Sequence, residues 1–225
     1  VYGVELPALK NPEEYVFENV YVQKPGRSVF LRMMGITDDD RDKKTREIAE
    51  FYVKHAPETS LVAADGATQL NDFGVVGVSR RLQDSANIII EERKKEKEVG
   101  YIVGQEENSE KMRMLWPVLS SKERGEGRSA YIILALLKFA KDKDYRKIKA
   151  VLRDTLSGDA GLSRAQKRYN AWREKYITKM FEKVFKLEKT READSIYYEF
   201  DLALLPEIKE KTKKWKRQPS IDDYR

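Results

Sequence analysis

The 225-residue chain has no cysteine and only one histidine, His55. The first absence excludes a disulfide scaffold, thiolate metal centres and thiol catalysis. The second excludes a multi-histidine metal site and leaves a Ser-His-Asp triad one candidate base. No apolar run approaches the roughly 20 residues that a membrane-spanning helix needs, so no transmembrane segment is expected. The sequence begins at Val1 without a charged n-region or an apolar h-region, which leaves the compartment open. Walker-type lysine motifs, H-E-x-x-H and EF-hand loops are also missing. Gly125-Glu-Gly127 is the sole G-x-G. It lacks a third glycine and the acid about 20 residues on, and no strand is read before it, so it is taken as a plain loop.

What the chain has in quantity is charge. Lys+Arg number 44 and Asp+Glu 38, a net charge of +6, and charged residues make up 36% of the sequence, against roughly 25% in an average globular protein. Hydrophobic residues at 40% still leave enough apolar material for a core.

Residues 1–37 read as an extended arm. They hold three of the seven prolines (Pro7, Pro12, Pro25) and the aromatics Tyr2, Tyr15, Phe17, Tyr21 and Phe30. Lys24-Pro25-Gly26-Arg27 suits a type II turn, so Tyr15–Val22 and Ser28–Leu31 could close a short hairpin. Residues 38–128 read as a helical region with glycine-rich loops. Asp38-Asp39-Asp40 supplies N-capping acids, and Ile48, Phe51, Tyr52 and His55 follow at helical spacing until Pro57. His55, at the C-terminal end of that helix, would gain from the dipole as an imidazolium. Leu82, Ala86, Ile89 and Ile90 predict a second helix, and Met112, Leu115, Trp116 and Leu119 a third, interrupted by Pro117.

Residues 129–216 are expected to form a four-helix bundle, followed by a tail over 217–225. Its four stripes are Ile133, Leu134 and Leu137; Tyr145, Ile148, Leu152 and Leu156; Tyr169 through Leu187; and Ile196, Phe200 and Leu204 with a bend at Pro206. Consecutive amphipathic helices with short joins make an antiparallel bundle the simplest arrangement. The expected fold class is therefore mainly α.

No catalytic, cofactor-binding or metal-binding constellation stands out. Asp38–Asp40 reads as a capping cluster rather than a cation site, and no carboxylate pair is distinguished from the many others. The basic stretch Lys209, Lys211, Lys213, Lys214, Trp215, Lys216 and Arg217 has six cations and one acid in nine residues. Cations interleaved with an aromatic suit phosphate contacts and base stacking, or an anionic protein face. With Tyr15, Phe17 and Tyr21 of the arm, these are the candidate partner-docking residues.

The helical pattern Asp144-Tyr145, Ile148, Leu152-Arg153, then Tyr169 and Trp172, and a last segment with Tyr197-Tyr198, Leu202, Leu204 and Leu205, resembles the PsbQ-type extrinsic proteins of photosystem II. The resemblance spans residues 129–215. Some hundred residues precede it, and Pro206 departs from the pattern. It implies a basic, non-catalytic bundle in the chloroplast thylakoid lumen that docks on a photosystem through its cations. The expected function is accordingly a non-enzymatic structural subunit that binds other protein subunits of a large assembly and needs no cofactor. The alternative is an RNA-binding nucleoprotein or coat-like protein with exchanged terminal arms.

Overall fold

In a computed structural model of the chain, the described residues are 2–7, 14–19, 39–55, 82, 87–115, 117–124, 127–152, 171, 175–192 and 195–211. Their centre is an eight-stranded mixed sheet. Its strands are β2 (Tyr15–Asn19), β3 (Asn87–Lys94), β4 (Lys97–Glu106), β5 (Lys111–Met114), β6 (Val118–Leu119), β7 (Lys147–Leu152), β8 (Thr190–Glu192) and β9 (Ser195–Asp201). They run in the order β2-β3-β4-β5-β7-β9-β8, with β6 also on β4. Every neighbouring pair is antiparallel except β5 with β7. A separate parallel ribbon joins β1 (Tyr2–Pro7) to β10 (Pro206–Lys211).

Two helices cover the sheet from opposite faces: α1 (Asp39–His55) and α2 (Arg128–Lys141). On the α1 side, Ile48 and Tyr52 pack with Ile89, Tyr101, Val103 and Val118. On the α2 side, Ile133, Leu136, Leu137 and Ala140 recur at the i, i+3, i+4, i+7 spacing of one helix face and join Ile90, Ile102, Met112 and Ile148. Residues 175–179 continue the helical cover and end in a π turn at Met180–Val184. From there Phe181 stacks on Tyr198 with centroids 4.9 Å apart, and Phe185 meets Phe200 edge-on.

The fold is therefore mixed α/β, and the mainly α four-helix bundle expected for 129–216 is corrected. Its first helix is present as α2, but the second stripe is β7, where Ile148 and Ala150 are buried with a period of two. The last stripe is β8, β9 and β10, with Ile196, Tyr198 and Phe200 inward, and Pro206 opens β10 rather than bending a helix. The expected helices around Ile89 and Met112 are β3 and β5. Short apolar runs satisfy either period, and burial on both sides of a sheet hides the alternation. The charged run after Ile90 also belongs to the sheet. Lys95 and Glu96 turn with φ of 48° and 67°, so a two-residue left-handed turn joins β3 to β4 without the Asn-Gly that would have announced it.

The helix over 39–55 lies where the Ile48–His55 spacing places it. β2 pairs with β3; the turn and the Ser28–Leu31 strand of the expected hairpin lie outside the described residues. The strands of the large sheet come from all three expected segments, 1–37, 38–128 and 129–216.

Gly100 marks a close approach within this sheet. A Cβ there would lie 2.5 Å from Leu119 Cδ2 and 3.1 Å from Glu92 Oε2. Both neighbours are buried, so neither can swing into solvent. Gly100→Ala should cost about 1–3 kcal/mol through overpacking, read as a lower urea midpoint at unchanged m-value. An unchanged midpoint would show that the β3-β4-β6 row has slack.

Candidate active site

The sheet opens between its two parallel strands. β5 pairs with β7 from Lys111–Lys147 to Met114–Ala150, and beyond this β7 goes on pairing with β9 as far as Leu152. The chain after Met114 stays with β4 instead: Leu115 N–H donates to Val103 O (2.8 Å) and Ser120 N–H to Val99 O (2.8 Å). Met114 pairs with Gly104 and Leu119 with Gly100, so five steps along one strand match four along the other. The extra residue is a β-bulge, and bulges bend the strand that carries them. Pro117 lies inside it and has no N–H to give to either neighbour. The pairing therefore divides at the carboxyl ends of parallel neighbours, the place where open α/β sheets bind ligands.

Directly after β6 the chain makes a 3₁₀ turn at Ser121–Glu123 and passes through Gly127 into α2. Gly127 has φ 75° and ψ 6°, and no side chain caps the helix. The head of this 14-residue helix is its positive end, the kind of place that attracts phosphate; Gly127 and Arg128 are buried there, and the Ala130 N–H donates to Gly127 O (3.1 Å). Of Gly125-Glu-Gly127, read from sequence as a plain loop, only Gly127 is among the described residues, and it stands between the 3₁₀ turn after β6 and the start of α2.

Both flanks of this turn are held from below. Arg128, the first residue of α2, is buried, and its Nη2 donates to Glu92 Oε1. Its guanidinium lies 3.5 Å from the Tyr15 ring centroid, and its Nη1 is 3.3 Å from Glu123 Oε2. Glu123 also accepts from the Tyr15 hydroxyl and the Lys94 ammonium, each at 3.2 Å. Arg124 spans to the Leu119 carbonyl (3.1 Å) and to the His55 carbonyl at the end of α1.

Adjacent residues of β3 point to opposite faces, and the two buried acids there titrate in opposite directions. Glu91, toward α1, is held below the usual carboxylate range: burial pushes it up, but Lys44 at 2.6 Å, the Tyr101 hydroxyl at 2.8 Å and Arg93 together outweigh that. Glu92, toward α2, is pushed up to about 7, because burial and the Glu123 charge outweigh Arg128. Among the described residues, Glu92 Oε2 and Arg128 Nε have no hydrogen-bond partner. His55 is held below its ordinary value by burial, then by Lys54 and Arg124, which corrects the expected dipole-stabilised imidazolium. His/Cys/Asp/Glu clusters able to hold a metal are absent among the described residues.

Of the docking residues expected from sequence, Tyr15, Phe17, Lys209 and Lys211 are among the described residues. Tyr15 is buried under Arg128, and Phe17 packs partly against the main core. Lys209 and Lys211 lie on β10, away from the cleft's strands. Tyr21, Lys213, Lys214, Trp215, Lys216 and Arg217 lie outside the described residues.

No known family model matches the sequence, and no curated protein matches it either. Solved structures match in fold. A mutant of spermidine N-acetyltransferase from Vibrio cholerae is 8% identical, covers 85% of this chain and 95% of its own, and superposes with a TM-score of 0.51. An N-acetyltransferase from Staphylococcus aureus is 10% identical over 84% of this chain and 99% of its own, at a TM-score of 0.47. A GNAT-family acetyltransferase from Elizabethkingia anophelis, solved with acetyl-CoA bound, is 13% identical over 85% and 99%, at 0.37. The fold is shared with that spermidine N-acetyltransferase. The resemblance to PsbQ-type photosystem proteins is thereby overturned, since the region expected to be a four-helix bundle contributes one helix and the strands β7, β8 and β9 to a mixed sheet. With it go the thylakoid-lumen setting and the non-catalytic docking subunit. The nucleoprotein alternative loses its basis too, because its basic helix is in part strand β10.

The folded-state value of Glu92 lies near 7, above the ordinary 4.5, so folding binds a proton between these values. Stability from this group is complete below about pH 4.5 and lost as pH rises through 7. The difference is at most about 3 kcal/mol, from 1.36 kcal/mol per unit. Glu92→Gln should flatten the decline in urea stability between pH 5 and pH 8. Parallel curves for the two proteins would contradict the assignment.

Proposed function

We propose that the chain is an acetyltransferase that takes its acetyl group from acetyl-CoA and delivers it to an amine. One observation carries this: the cleft between β6 and β7 lies beside a glycine turn and an uncapped helix N-terminus, on a fold shared with a spermidine N-acetyltransferase. The residues present fit the donor. Its diphosphate matches the first N–H groups of α2 and the positive φ of Gly127, with the buried cation Arg128 beneath them. A slender chain fits the gap that the bulge opens between β6 and β7.

The assigned reaction forms a bond between the amine nitrogen and the thioester carbonyl carbon and breaks the carbon–sulfur bond. The sulfur leaves with the electron pair, and the proton lost by the nitrogen balances the thiol formed. Backbone N–H groups in a dry cleft are the kind of donor that steadies a developing oxyanion. The amine must be neutral to attack, so the rate should rise with pH over the acceptor's own titration.

Release of free CoA thiol from acetyl-CoA should occur with spermidine or another primary amine and not without one. Gly127→Val should lower folding stability by the roughly 1–2 kcal/mol that a side chain pays in the left-handed region, and should raise the donor KM by reshaping the head of α2. Thiol release no faster than buffer hydrolysis across a panel of amines would contradict the proposal.

A further inference from the structure

The cluster beneath the Gly127 turn is more elaborate than anchoring requires. Apolar packing could hold the head of α2, and replacing a buried ion pair by apolar residues is often no less stable. Here the charges are graded. Arg128 and Lys94 bring two cations, and Glu123 and Glu92 two acids, all linked to one another or to Tyr15. With Glu92 ionised the sum is 2 − 2 = 0, and with Glu92 protonated it is 2 − 1 = +1. Only the proton on Glu92 separates a neutral cluster from a cationic one, and the cluster includes Arg128, the first residue of α2.

We propose that Glu92 is a positioning residue whose proton strengthens the anion seat at the head of α2, so that the phosphate-bearing donor binds with uptake of a proton. This rests on the acetyl-CoA reading and names a control built into the same site.

The geometry isolates the effect. Glu92 meets Arg128 from α2 and feels the charge of Glu123 from the turn after β6; Arg128 in turn meets Glu123 and the Tyr15 ring of β2, and Glu123 meets Lys94 of β3. Gly100 and Leu119, from β4 and β6, close its remaining side without charge. Arg128 is shared between Glu92 and Glu123, so protonating Glu92 leaves the guanidinium less neutralised. Its Nε, with no partner among the described residues, is already a cationic N–H awaiting an acceptor. Burial holds the Glu92 carboxyl at about 7, so the proton is exchanged near neutrality. Binding and protonation are reciprocal, so the donor raises the Glu92 value by the same factor that the proton tightens the donor.

The test is calorimetric titration of CoA into the full chain at pH 6, 7 and 8, in buffers of different ionisation enthalpy. Glu92→Gln supplies the baseline, because the ligand's own phosphate still titrates there. Relative to this variant, the wild type should weaken about threefold to tenfold from pH 6 to pH 8, the scale of one charge at about 10 Å in a partly screened site. At pH 7 it should also show an uptake of part of a proton over and above whatever exchange the variant shows. Glu123→Gln removes the charge that pushes Glu92 up, so it should bind more tightly and shift the wild-type midpoint to lower pH. This second variant keeps the test open should Glu92→Gln fold poorly. Wild-type and Glu92→Gln affinities that run parallel over this range would overturn the inference while leaving the acetyltransferase reading intact. Folded protein that binds no CoA at any pH would overturn that reading, and the inference with it.

Discussion

A single extra residue shapes the site. Between Met114 and Leu119 the strand is one residue longer than the stretch of β4 beside it, and Pro117 inside this bulge brings no N–H. The strand cannot serve β4 and β7 at once beyond that point. It follows β4, and β7 goes on with β9. The cleft, the direction in which β6 hands the chain to α2, and the place where the glycine turn arrives all follow from that choice. A regular strand through 111–119 would continue the parallel ladder and close the sheet.

Around this split the charges are arranged by face. On the α1 side, Glu91 is fully answered by Lys44, Tyr101 and Arg93 and stays ionised. On the α2 side, Glu92 has one strong partner, and that partner is shared. The first arrangement locks β3 to α1, whereas the second couples the head of α2 to a proton. Two neighbouring acids of one strand thus acquire opposite titration behaviour from the elements that happen to cover them.

Some of this was legible in the chain. The apolar spacing from Ile48 to His55 and from Ile133 to Ala140 marks two real helices, because each is amphipathic against one face of a sheet. The strands were obscured for identifiable reasons. Ile88-Ile89-Ile90 runs into Glu91-Glu92-Arg93, and a charged run reads as a solvated helix unless its acids are known to be buried and paired. Tyr145, Ile148 and Leu152 fit a helical stripe as well as Ile148 and Ala150 fit an alternating one. Lys95-Glu96 makes a left-handed turn with residues that seldom adopt it. The strand before Gly125, Val118–Leu119, is two residues long and follows a bulge, too short to read as a strand from sequence. Nothing local could have paired Glu92 with Arg128, 36 residues away. That contact exists only once the sheet has formed.

The central claim is that the split in the sheet and the head of α2 form one donor-binding site. Hydrogen–deuterium exchange of the full chain with and without CoA tests it most directly. Protection on adding CoA should concentrate in residues 118–130 and 150–152, on the two sides of the cleft, and leave β8 and the β1–β10 ribbon unchanged. Protection confined to other segments, or none at saturating CoA, would contradict it.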